Sequence, residues 1–71
     1  MHEGTINRII FDKGYGFIRH PGLRGRDLFF HCKDLRGGLV FDEQLEQRRV
    51  RFESTTDDQG RDRAVNIVPA E

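Results

Sequence analysis

Two short stretches of this chain alternate with a period of two, and both leave rings on the face turned away from the core. Residues 13–18 read KGYGFI and residues 27–32 read DLFFHC. On a strand, successive side chains point to opposite faces. Lys13, Tyr15 and Phe17 therefore share one face of the first stretch, opposite Gly14, Gly16 and Ile18. In the second, Leu28, Phe30 and Cys32 make an apolar, core-facing set and leave Asp27, Phe29 and His31 outside. One exposed phenylalanine requires no explanation, but four ring side chains gathered with a lysine do.

Five such segments are legible, which restricts the chain to a small β architecture. Residues 4–11 (GTINRIIF) form the first, with a slip in alternation between Arg8 and Ile10 that implies a bulge or bend. The two ring-bearing stretches follow, joined by the Pro/Gly-rich turn HPGLRG at residues 20–25. The fourth, RVRFE at residues 49–53, turns Val50 and Phe52 inward. TTDDQG signals a hairpin into the fifth, RAVNIV at residues 63–68, which Pro69 closes. In the longer connection, Phe41 and Leu45 stand four apart, enough for one or two helical turns. Short strands in a 3 + 2 arrangement predict an all-β fold, a five-stranded antiparallel Greek-key barrel of the oligonucleotide-binding type (OB-fold). Such barrels bind across their second and third strands, where the rings are.

At 71 residues the chain is read as one domain, 1–71, burying about 60% of its unfolded surface and leaving no room for a deep substrate cleft. There is no nucleophile–base pair and no cluster of ligands at metal-site spacing, so no enzyme activity, cofactor, metal or small-molecule substrate is expected. His31 lacks co-ligands, and His2 and His20 read as surface residues. The single cysteine, Cys32, permits no intrachain disulfide and fits a reducing, cytoplasmic location. It reads as a small buried group at a strand end. No apolar run has membrane-spanning length, and no signal-peptide pattern follows Met1. Net charge is zero but uneven. Residues 1–40 carry seven lysines and arginines against four acids, and residues 41–71 carry five against eight. The basic half is the half with the exposed rings.

KGYGFI also matches most of the first ribonucleoprotein motif of the RNA-recognition-motif fold, but that fold needs two packing helices and a second aromatic strand upstream. Order and spacing instead make the chain resemble the cold-shock domain family. The resemblance rests on Gly4, KGYGFI, DLFFH and AVNI, and spans nearly the whole sequence. It implies that Tyr15, Phe17, Phe29 and His31 stack on bases, with Lys13 supplying charge. The implied partner is single-stranded RNA or DNA, RNA preferred, with low sequence specificity and an RNA-chaperone activity, in a monomer. Gly14 and Gly16, opposite the rings, would allow tight barrel curvature.

The departures from the family are specific. Asn7, Arg8 and Ile9 stand where it places a lysine, a tryptophan and a phenylalanine. Cys32 replaces a phenylalanine, and Gln47 replaces the glycine before strand four. Phe41 is a candidate for the family's loop aromatic. Arg8 is either a plain exposed arginine or a ligand contact, since guanidinium stacks on bases and pairs with phosphate. DDQGRDR is either a solvated hairpin tip or a place where Arg61 or Arg63 contacts phosphate. Two rival readings remain: an OB-fold protein-interaction module, and a regulatory domain normally attached to a larger protein.

Overall fold

The computed structural model describes residues 1–20 and 27–70. Its strands are β1 (His2–Ile10), β2 (Tyr15–Arg19), β3 (Asp27–His31), β4 (Arg49–Thr56) and β5 (Asp62–Pro69). They close into a barrel in the order β1-β2-β3-β5-β4. Neighbours pair antiparallel except at the β3–β5 seam, where Phe29 and Phe30 run parallel to Arg63 and Ala64. That is the expected five-stranded OB-type barrel, and closure removes the sheet edges that would otherwise template aggregation. No helix among the described residues is long and apolar enough to cross a membrane.

The core follows the alternation of β2, β3 and β4, and an irregular register against β4 lets β5 bury Ala64 and Ile67, three apart. Ile18, Leu28, Phe30, Val50, Phe52, Ala64 and Ile67 are buried, joined by Ile6, Ile9 and Leu45. Ile6 and Ile9 are three apart, which a regular strand would send to opposite faces. The register shift between Ile6 and Arg8 inserts Asn7 as a bulge and turns both isoleucines inward. Gly16 has a second reason beyond curvature. A Cβ there would lie 2.6 Å from the Arg8 carbonyl oxygen and 2.8 Å from a ring carbon of Phe30. Only glycine lets the Phe30 ring approach β2 this closely.

Several local expectations are corrected. Lys13 and Gly14 precede β2 instead of opening it: Phe11–Lys13 forms a 3-10 turn, and Gly14 caps it with φ of 75°. Gly14 is thus required by a left-handed backbone rather than by curvature. Lys13 does not take its direction from the strand alternation. Cys32 is not core; it begins the 3-10 turn Cys32–Asp34 and is half-buried. The His31 side chain accepts from the Lys33 backbone N–H at 3.1 Å and so ends β3 one residue early. Leu45 is buried at the end of the 3-10 turn Glu43–Leu45, capped by Asp42, but Phe41 lies before that turn and shares no helical face with it. β1 starts two residues earlier than expected and β4 runs on to Thr56. Of the HPGLRG turn, all but His20 lies outside the described residues.

Gln47 carries the conformation its glycine counterpart would favour. Its φ is 69°, and its N–H donates to the Ile6 carbonyl at 2.7 Å, tying the connection to β1.

Candidate nucleic-acid interface

β2 and β3 pair Tyr15 with His31 and Phe17 with Phe29. Directly opposed residues of an antiparallel pair share a face, so all four rings point outward while Gly16, Ile18, Leu28 and Phe30 point in. Ring centroids lie 5.9 Å apart for Tyr15–Phe17, 5.2 Å for Tyr15–Phe29 and 6.2 Å for Phe17–Phe29, all tilted or edge-on. These three rings are half-buried at their sides. Phe17 meets Tyr15 and Phe29 edge-to-face and Tyr15 tilts against Phe29, so the three rings pack as one cluster.

β1 extends this face. Arg8 stands opposite Phe17 and Ile10 opposite Tyr15, so both project outward beside the rings. Ile10 was missed from the sequence, because the bulge obscures which of Ile9 and Ile10 points out. On the far side, the β4–β5 hairpin brings Arg61 and Asp62 up to Tyr15, Phe17, Phe29 and Asp27, which together line a shallow groove.

The electrostatics of the groove are nearly balanced. Arg61 pairs with Asp57 at 3.4 Å, and Asp57 also accepts from the backbone N–H groups of Arg61 and Gln59. The Arg61 N–H, chief among these, holds the Asp57 carboxyl below its ordinary value of 3.8. Arg63 pairs with Asp34 at 2.6 Å and sets its guanidinium carbon 6.0 Å from the Phe29 ring centroid. Its role in holding Phe29 had no sequence signal, since Asp34 lies 29 positions away. Asp27 accepts from Asn7 at 3.0 Å and faces Arg19 at 3.9 Å. By contrast, Arg8 and Lys13 are exposed and make no ion pair among the described residues.

The structure therefore gathers Tyr15, Phe17, Phe29 and Arg61 into one groove. It sets His31 beside Tyr15, with Nδ1 engaged by the Lys33 N–H, so that the neutral ring carries its proton on Nε2. Arg8 borders the groove at Phe17, and Lys13 lies in the turn before Tyr15. Phe41 sits apart, its ring 5.7 Å from that of Phe11. Among the described residues no group of three or more histidines, cysteines or carboxylates is arranged to hold a metal ion.

Comparison with known proteins agrees with this geometry. The family described as the 'Cold-shock' DNA-binding domain matches residues 2–70. A relative, "Cold shock protein 1" of Lactiplantibacillus plantarum, is 36% identical over 69 residues, covering 97% of this chain and 98% of that protein.

Proposed function

The chain belongs to the cold-shock domain family, whose members bind nucleic acid and are not enzymes, and from that premise we propose that it is a single-stranded nucleic-acid-binding module acting as an RNA chaperone. The observation that carries this reading is the cluster of Tyr15, Phe17 and Phe29, three half-buried rings on one outward strand face that line a shallow groove. Bases unstack from one another and lie on these rings and on His31. Each such stack contributes roughly 1–3 kcal/mol and accepts any base, so sequence specificity is low. Phosphates point outward to the unpaired cations Arg8 and Lys13, and Arg61 reaches a third by exchanging Asp57 for a phosphate oxygen. Phe41 contributes from the loop. A duplex hides its base faces, and cellular RNA presents unpaired bases in loops and ends, which favours RNA as the ligand. Holding strands open in this way prevents their refolding on themselves.

We further infer that residues 1–71 act as one monomeric domain in the cytoplasm, without metal, cofactor or small-molecule substrate. A second reading, a protein-interaction or regulatory module that kept the barrel, draws on Asp27 and Asp62 at the groove and on the prior pairing of Arg61 and Arg63. Titration with single-stranded RNA, single-stranded DNA and duplex separates the two. Quenching of Tyr15 fluorescence by both single strands and not by duplex supports the module proposed. No spectral change with any of them favours the interaction reading.

A further inference from the structure

The β3–β5 seam closes the barrel directly beside the ring face, and it is a short join. Among the described residues its ladder has two register pairs, Phe29 with Arg63 and Phe30 with Ala64, against five between β2 and β3. Past the end of β3, an isolated bridge joins Leu35 to Ile67, and the Arg36 N–H donates to the Ile67 carbonyl at 2.7 Å. Asp34 and Arg63 meet between ladder and bridge, with their charged groups 2.6 Å apart and their side chains 16% and 33% exposed. The pair is shorter and better shielded than Arg19–Asp27 or Arg49–Glu3, so solvent and salt weaken it less. It sets the Arg63 guanidinium carbon 6.0 Å from the Phe29 ring centroid. Arg63 Nε is buried there with no hydrogen-bond partner. An unmet buried donor destabilises, so stability alone does not account for this placement.

We propose that the Asp34–Arg63 pair is a positioning element of the binding face, which fixes the Phe29 ring for stacking and acts on affinity through that ring and not through charge. The proposal rests on the nucleic-acid reading above and deepens it. Arg63 is the direct partner of Phe29 across the seam, so the two side chains share a face. Arg63 is nevertheless not among the residues that line the groove, and its charge is met by Asp34. The seam also separates the two sides of the groove: β3 carries Phe29, and β5 opens with Asp62 beside Arg61. A clip across the seam therefore sets how far apart these sides stand. Asp34 is the more informative partner to alter. Neutralising it releases a cation beside the groove, which raises affinity if charge is what the pair contributes and lowers it if ring position is.

The test uses Asp34→Asn, which keeps the shape of the carboxylate, and Asp34→Glu, which keeps its charge. Each is made in the unmodified chain and in Phe29→Leu. Affinity for oligothymidine is read from Tyr15 fluorescence at several salt concentrations, with the folded fraction taken from circular dichroism. Asp34→Asn should weaken binding about three- to tenfold in the unmodified chain and have no further effect in Phe29→Leu. The slope of log K against log salt should stay as it was, because no phosphate contact is gained or lost. Asp34→Glu should bind more tightly than Asp34→Asn. The Phe29 ring proton shifts should move in Asp34→Asn before any ligand is added. A loss of equal size in Phe29→Leu assigns the pair to the fold at large and overturns the proposal. Tighter binding with a steeper salt slope overturns it as well, since Arg63 then acts as a cation. Unmoved Phe29 shifts with unchanged affinity overturn the positioning and leave the platform standing. An unmodified chain that binds no oligothymidine overturns the platform, and the pair's part in binding with it.

Discussion

Phe17 and Phe30 sit on neighbouring strands with opposite orientations, and truncating each should separate binding from stability. Phe30 is fully buried beneath Gly16, and among the described residues Phe52 is the other ring of the barrel core. Phe30→Ala removes the transfer energy of the ring and leaves a cavity, at a cost of about 3–5 kcal/mol. At about 0.05–0.15 kcal/mol per residue, a chain of this size has about 4–11 kcal/mol in total. The variant should therefore lose a large share of its stability and melt at much lower urea than the unmodified chain. Phe17 touches Tyr15 and Phe29 edge-on and is otherwise open on the outer face. Its two ring contacts are exposed, so Phe17→Ala should cost at most about 1 kcal/mol of stability. It should weaken oligonucleotide binding by roughly 1–3 kcal/mol, or about five- to 150-fold. Urea melts followed by circular dichroism report the first quantity, and Tyr15 fluorescence titration with oligothymidine reports the second. An unfolded Phe17→Ala with a folded Phe30→Ala of reduced affinity would mean that the strand faces are assigned backwards.

Three further outcomes are expected. Gln47→Gly should stabilise the fold by about 1 kcal/mol by relieving a left-handed φ of 69°, raising Tm by roughly 4–8 °C in a thermal melt; an unchanged or lower Tm would mean the Ile6 hydrogen bond already compensates the strain. The plot of log K against log salt should have a shallow slope, roughly −1.4 to −2.1, because Arg8 and Lys13 stand unpaired beside the rings among the described residues, Arg61 can add a third contact, and each neutralised phosphate contributes about −0.7; a much steeper slope would make charge, and not stacking, the source of affinity. Arg8→Trp, opposite Phe17 on the outer face, should tighten binding to a single-stranded oligonucleotide by at least about tenfold, and a folded variant with unchanged affinity would remove β1 from the interface.

The ring face was legible because a period of two leaves little freedom: once Leu28 and Phe30 turn inward, Phe29 and His31 must turn out. What escaped the sequence did so for identifiable reasons. A glycine in a left-handed turn and a glycine in a strand are written with the same letter, so Gly14 was read into β2 and Lys13 was carried with it. The bulge at Asn7 leaves Ile9 and Ile10 equally apolar, and only the register with Gly16 and Tyr15 decides between them. Cys32 was assigned to the core by extending an alternation that the His31–Lys33 hydrogen bond interrupts. The Asp34–Arg63 pair joins two segments across the parallel seam, which local pattern cannot reach.

The same contacts explain how a chain of zero net charge can present a nucleic-acid surface. Arg19, Arg61 and Arg63 all lie near the groove, yet each faces a carboxylate, so the field there is weaker than the count of arginines suggests. Among the described residues, Arg8 and Lys13 stand by the rings without an ion pair. The arginine–acid pairs instead steady what they touch: Asp57 and Arg61 shape the hairpin tip, and Arg63, fixed by Asp34, backs the Phe29 ring at cation–π range. Removing Arg63 would loosen the ring more than it would change the local charge. Affinity built in this way depends on ring geometry, so it should withstand salt better than it withstands the loss of a single aromatic.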